Sequence, residues 1–241
     1  MTEKIVVFAP HPDDETLACG GTIAKKLKEG YEVHVVFMTD GRHALTEISE
    51  LNKPSPLEMK TIRQGEAKKA AEILGLSQEN LVFLDFEDRS LQENKIALQD
   101  KVSKILIGLS PSMVFFPQAK EYNSDHRAAN LAIKRAIVSL DLTPIEYQYP
   151  IAYSFPFSVL YHIMNQKTFD FVFCKVTDLR LVSEDISDTF ALKEMALKEY
   201  RSQIELLSDE QKRPVLKSSF LQRFLKTYER FFVGLSSKPG A

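Results

Sequence analysis

Ile5-Val6-Val7-Phe8-Ala9 runs without a break into Pro10-His11-Pro12-Asp13-Asp14-Glu15. The apolar half is short, rich in β-branched residues and continuous rather than alternating. That is the pattern of a parallel strand covered on both faces. Three more runs share it: Val33 to Met38, Leu81 to Phe86 and Met113 to Phe116. Between them lie Glu15 to Glu29, Leu57 to Leu74 and Leu98 to Gly108, which mix charges with Leu, Ile and Ala at helical spacing. Each stops at a glycine, the usual helix terminator. A fourth helical pattern, Arg127 to Leu140, follows the fourth run. Strand and helix in alternation predict right-handed crossovers and a doubly wound, mostly parallel α/β sheet of Rossmann-like layout.

After Pro144 the pattern changes. Ile145 to Ile163 and Phe169 to Val176 read as further strands, with a Pro-broken loop between them. Thr189 to Leu207 and Val215 to Leu235 read as two long amphipathic helices. No Gly/Ser/Pro-rich linker divides the chain. Residues 1–235 are therefore expected to form one domain with a C-terminal strand and helix elaboration, and 236–241 a disordered tail. Phe220, Phe224, Tyr228, Phe231 and Phe232 read as core or as a homodimer face, with an acceptor site for a lipid-linked sugar as a third reading.

The 241 residues are 44% hydrophobic and 27% charged, with a net charge of -2 and no long run of one sign. Neither a nucleic-acid surface nor an anionic-membrane surface is indicated. The N-terminus lacks the pattern of a signal peptide, and no stretch reaches the roughly 18 apolar residues of a membrane span. Cys19 and Cys174 show no paired spacing, so a disulfide framework is not expected and a cytoplasmic setting fits.

In an open α/β sheet the ligand crevice lies at the carboxyl ends of the strands, where strand order reverses. With an order 3-2-1-4, the loop after the first strand and the loop Pro117 to Asp125 stand side by side. The second loop leads into Asn123-Ser124-Asp125-His126. A catalytic zinc takes three ligands from His, Asp or Glu and keeps a fourth position for water. His11, Asp14 and His126 supply such a set. Asp13, between two of them, is placed to accept a proton from the attacking water. Asp125 is placed to fix the tautomer of a ligating histidine. Asp13 and Asp14 would also serve as caps of the helix beginning at Glu15. Capping does not explain a histidine flanked by two prolines, nor a second Asp-His in the neighbouring loop.

Pro10-His11-Pro12-Asp13-Asp14-Glu15 resembles the signature of the LmbE-like (PIG-L) family of zinc-dependent N-acetylglucosaminyl deacetylases. Thr39-Asp40-Gly41 resembles that family's Thr-Asp-Gly turn. Arg63, Glu66, Ala67, Ala70, Ala71, Leu74 and Gly75 resemble its Arg-x-x-Glu-Ala helix. Asp125-His126 matches the end of its His-x-Asp-His motif, and Lys193, Ala196, Leu197, Ser202 and Gln203 resemble a late stretch. The resemblance implies a metal-dependent hydrolase acting on an N-acetylglucosamine-containing small molecule or glycoconjugate. It makes His11, Asp14 and His126 the ligands of one Zn²⁺, Asp13 the general base, and Arg63 a substrate contact. One position departs: Asn123 stands where the family pattern has histidine. Asparagine can donate a hydrogen bond to an oxyanion but cannot release a proton. A catalytically weak sugar-binding relative is the alternative.

Other residues carry two readings each. His43, at the carboxyl end of the second strand, reads as a substrate contact or as an ordinary polar loop residue. Asp88 reads as a ligand for a sugar hydroxyl or as a turn aspartate. His34 reads as a packed or edge histidine, and His162 carries no assigned role. The first strand is not followed by G-x-G-x-x-G, so the dinucleotide reading is weak, while an α/β transferase using a nucleotide-type ligand stands as a further rival that a metal titration separates.

Overall fold

A computed structural model of the chain describes residues 2–45, 53–154 and 156–234. The expected tail, 236–241, and the end of the predicted helix at Leu235 lie outside them. β1 (Lys4–Ala9), α1 (Asp14–Lys28), β2 (Glu32–Thr39), α2 (Pro56–Leu74), β3 (Leu81–Phe86), α3 (Lys95–Leu109), β4 (Met113–Pro117) and α4 (Ser124–Ser139) alternate as predicted. They are followed by β5 (Ile145–Tyr149), α5 (Phe157–Ile163), α6 (Gln166–Thr177), β6 (Leu179–Asp185), α7 (Phe190–Lys198), α8 (Arg201–Ile204), α9 (Ser218–Leu221) and β7 (Tyr228–Gly234). One sheet holds all these strands in the order β3-β2-β1-β4-β5-β7-β6. The first five strands pair in parallel, while β7 runs antiparallel to both β5 and β6.

The continuous apolar character of β1 follows from this placement. Ile5, Val7 and Ala9 pack with Leu17 and Ile23 of α1 and Ala67 of α2 on one face. Val6 and Phe8 pack with Val102 of α3 and Ile133 of α4 on the other. Burying such a side chain contributes about 1.5–3 kcal/mol, so an alternating polar residue would have no place on β1. β2 and β4 lie on opposite sides of β1, which makes it the point where strand order reverses. α2 is closed at both ends: Ser55 and Glu58 form a reciprocal capping box, and Gly75 adopts φ 91.

Two hydrogen-bonded links tie the C-terminal segments to this frame. Glu66 of α2 accepts from the Ser202 backbone N–H and hydroxyl, both at 2.6 Å. Glu229 of β7, buried and paired with Lys193 of α7 at 2.7 Å, accepts from Gly21 N and Thr22 N of α1 at 2.9 and 2.8 Å. The α2 motif and the late Lys…Ser-Gln stretch thus meet in space.

The C-terminal expectations need correction. Only Ile145–Tyr149 of the first aromatic segment is strand, and Phe157–Ile163 is helix. Phe169 to Val176 lies within α6: Phe169 and Phe173 are buried one turn apart while Phe171 and Val176 face outward. That is a 3.6-residue period, not a two-residue one. The long helix over 189–207 is two short pieces, broken after Lys198. The long helix over 215–235 is a single turn at 218–221 followed by strand β7. Phe231 and Phe232 there are buried on opposite faces of the sheet. The aromatic stripe is therefore not one helix face. Smaller corrections concern helix starts: α1 begins at Asp14 and α4 at Ser124, so Asp125 and His126 sit in a helix's first turn.

Candidate metal centre

The loop after β1 is pinned before it turns. Pro10 O accepts from Thr39 N at 2.9 Å and Thr39 Oγ1 at 2.8 Å, tying it to the end of β2. His11 N donates to Asp14 Oδ2 at 2.9 Å, so the loop folds back on the first turn of α1. The loop after β4 is fixed by Glu121, whose buried carboxylate accepts from Ile151 N and Ala152 N, both at 2.8 Å. Asn123 caps α4, its Oδ1 accepting from Asp125 N at 2.8 Å.

These two loops bring three ligand atoms together. His11 Nδ1 lies 3.2 Å from Asp14 Oδ2 and 3.2 Å from His126 Nε2, and the last two atoms are 3.1 Å apart. Ligand atoms around a tetrahedral zinc stand roughly 3.3–3.5 Å apart, given its bond lengths. The triangle is close to that size. Two imidazole nitrogens facing each other and one carboxylate oxygen present three lone pairs to one point, the donor set of a divalent cation.

The outer nitrogens of both imidazoles also face carboxylates. His126 Nδ1, buried and without a hydrogen bond, is 3.5 Å from Glu121 Oε2. His11 Nε2 is 3.3 Å from Asp88 Oδ1 and 3.5 Å from Asp125 Oδ2. Asp125 itself accepts from Arg89 N at 2.7 Å and Leu91 N at 3.1 Å. Such partners fix the tautomer and ring angle of ligating histidines. His11, Asp88 and Asp125 also lie close enough to form a second donor group, and the far oxygen of each acid accepts from a backbone N–H.

The charges point the same way. Burial would lower both imidazoles, yet the acids outweigh it. Asp125, Asp14 and Asp88 raise His11 well above its usual value, and Asp14 and Glu121 raise His126 to about 9. Burial works against Asp14 too, but the two imidazoles pull its carboxyl well below the usual range. The cluster demands positive charge, which a divalent cation supplies.

Asp13 stands apart from the triangle. Its backbone has φ 142 and ψ -27, a strained conformation for a residue with a side chain, and its carboxylate makes no helix-capping bond. Three contacts hold it there. Its N–H donates to Glu15 Oε2 at 3.1 Å, its carboxylate pairs with Arg63 Nη2 at 3.2 Å, and Arg63 also donates to Pro12 O. The Tyr200 hydroxyl in turn donates to Glu15 Oε1. Burial pushes the Asp13 carboxyl up to about 7, against the pull of Arg63. Gly41, at φ 62, leaves room for the guanidinium: a Cβ there would stand 3.0 Å from Arg63 Cζ.

A cavity of about 340 Å³ opens over these residues. Arg63, Asp88, His43 and Asn123 all line it, so every residue expected at the site reaches it except Asp125, buried behind His11. Arg63 is nevertheless only 3% exposed. His43 sits at the rim, its N–H on Asp88 at 3.1 Å and its ring on Glu87 at 2.9 Å. His34 bonds to Glu32 on β2, and His162 bonds to Ser158 within α5, both away from the cavity. Sequence reasoning passed over Glu121, Glu15 and Tyr200. For Glu121 a signal existed, an acid in the ligand-bearing loop; Tyr200 carried none.

The chain has identifiable relatives. The chain is 32% identical over 143 residues to a probable N-acetyl-α-D-glucosaminyl L-malate deacetylase of Bacillus cereus, covering 57% of this chain and 62% of that protein. It is 31% identical over 130 residues to the diacetylchitobiose deacetylase of Thermococcus kodakarensis, covering 53% and 46%. It thus spans less than two thirds of the length of either. The crystal structure of a 4-carboxy-2-hydroxymuconate hydratase from Pseudomonas putida aligns over 100% of both chains with a TM-score of 0.70 and 18% identity, a likeness of fold. Residues 6–137, more than half of the chain and the segment that carries the whole His11, Asp14, His126 triangle, match the model of the PIG-L family, GlcNAc-PI de-N-acetylase, and the chain belongs to that family.

Proposed function

We propose that the chain is a zinc-dependent N-deacetylase that hydrolyses the acetamide of an N-acetylglucosamine-containing substrate. The observation that carries this reading is the ligand triangle of His11, Asp14 and His126 beside the separately held carboxylate of Asp13. The names of the two deacetylase relatives support the substrate class. A divalent ion at the triangle would acidify a water and polarise the acetamide carbonyl. Asp13 takes the proton of the attacking water and passes it to the departing amine, so one carboxyl serves as base and then as acid. Arg63 keeps that carboxyl aimed and, with His43 and Asp88, contacts the sugar. Asp125 fixes the ring of His11. Asn123 has its side-chain oxygen occupied by the α4 cap, which leaves its amide nitrogen as donor to the developing oxyanion.

Among the described residues no helix is long and apolar enough to cross a membrane. Both cysteines are free, which supports a cytoplasmic setting. The test is acetate release from a panel of N-acetylglucosamine conjugates, with and without chelator. Release that stops with chelator and returns with zinc is expected. No release from any conjugate by metal-loaded protein overturns the reading. Binding without release would describe a sugar-binding relative.

A further inference from the structure

Beside the metal-centre cavity lies a second one of about 300 Å³, built almost wholly from residues beyond 150. The two share Leu17 as a wall. Most of the charge in the second cavity is already balanced. Glu229 pairs with Lys193 and accepts from Gly21 N at 2.9 Å and Thr22 N at 2.8 Å, and Arg230 pairs with Asp170. Arg223 and Lys226 remain, and neither has a carboxylate partner among the described residues.

Arg223 is held in a fixed pose. Its guanidinium lies 5.0 Å from the Tyr161 ring, 5.3 Å from Phe220 and 5.7 Å from Phe224. One Nη2 contact goes to Ile151 O at 3.3 Å, and its Nε is buried without a partner. The Tyr153 hydroxyl, on a residue 6% exposed in the same wall, is also unpartnered. Buried donors left unpaired are costly, and here no free acid of the wall is available to take them. An oriented guanidinium fork matches the oxygens of a carboxylate or a phosphate. Ile151 and Phe220, which Arg223 touches, both line the metal-centre cavity. The two spaces therefore adjoin across Leu17, Ile151 and Phe220, as a ligand reaching from one to the other requires.

We propose that this second cavity receives an anionic group, a carboxylate or a phosphate, carried on the part of the substrate beyond the acetylated sugar. The assignment rests on the deacetylase reading for its idea of the substrate, but its residues are separate. Residues 150–230, outside the matched family segment, then select the substrate that residues 11–126 hydrolyse.

The test is calorimetric titration of metal-loaded protein with three probes: N-acetylglucosamine 1-phosphate, a glycoside of N-acetylglucosamine with a carboxymethyl aglycone, and the neutral methyl glycoside. Acetate release is followed for each. Wild type should bind at least one anionic probe about tenfold or more tightly than the neutral one, as charge-assisted pairs predict. Arg223→Gln should bring that ratio close to one, and Lys226→Gln, at an exposed position, should reduce it partway without risk to folding. The stronger of the two anionic arms identifies the group. Equal binding of all three probes by wild type overturns the proposal, even if all three are deacetylated. So does a preference that survives both substitutions. A preference lost in Arg223→Gln, with no acetate released from any probe, sustains the anion site and overturns the deacetylase reading instead.

Discussion

Residues 4–139 and residues 145–234 share one sheet but are built differently. In the first region every strand is parallel and each helix returns the chain to the sheet, so the β1–α1 and β4–α4 loops stand side by side and are pinned by neighbouring backbone. All three candidate ligands and Asp13 lie there. In the second region β7 runs antiparallel to β5 and β6, two helices are single turns, and the aromatic cluster of Tyr153, Phe157, Phe169, Phe173 and Phe232 forms a core of its own. Its residues wall the cavities without entering the ligand triangle. The difference teaches a division of labour: rigid parallel topology holds the chemistry, and the irregular region shapes what reaches it.

That division can be broken most severely at Asp13. Asp13→Asn should retain the metal and lose about 10²- to 10⁴-fold in turnover, the usual cost of a positioned general base. Metal content and acetate release from one preparation check this, and parallel loss of both would merge Asp13 with the ligands. The second region should behave in the opposite way. Phe173→Ala empties a fully enclosed place in the aromatic cluster and should cost about 3–5 kcal/mol of stability, with metal stoichiometry unchanged in the folded fraction. Denaturant unfolding paired with metal analysis reads both quantities. If metal affinity falls with Phe173, the two regions are not separable.

Finer tests lie in the β4–α4 loop. Glu121→Gln puts an amide against the two N–H groups and the imidazole that Glu121 now serves. Metal affinity should fall about 10- to 100-fold, the usual effect of losing a partner behind a ligating histidine. Competitive titration against a chromophoric chelator measures it, and unchanged affinity would make Glu121 a loop brace alone. The smallest structural effect is expected at Asn123. Asn123→Ala removes the α4 cap and should cost about 1 kcal/mol. Any fall in turnover beyond that, with metal retained, isolates the contribution of its amide to the oxyanion.

The same division marks how far the sequence alone could be read. Ile5 to Ala9 is legible because a strand buried on both faces leaves an uninterrupted apolar run, and β2 and β4 are legible for the same reason. The ligands were legible because two proline-flanked or Asp-flanked histidines fall at loop ends that this topology must bring together. Phe169 and Phe173 were misread because Phe169, Phe171 and Phe173 alternate as on one face of a strand, whereas the helix buries the first and last and turns Phe171 outward. Phe231 and Phe232 invited the reverse error: consecutive buried aromatics cannot share one helix face, but they do face opposite sides of a strand. Glu121 was signalled only as an acid in the ligand-bearing loop, and Tyr200 was beyond reach, since its contact with Glu15 is encoded by no local pattern.

The central claim is that His11, Asp14 and His126 form one metal centre, and metal stoichiometry tests it most directly. Elemental analysis of purified wild type and His126→Ala, after equal exposure to zinc and removal of free ion, is predicted to give one zinc per chain in wild type. The variant should hold close to none, with its fold confirmed by circular dichroism. Equal zinc in the two proteins would contradict the account.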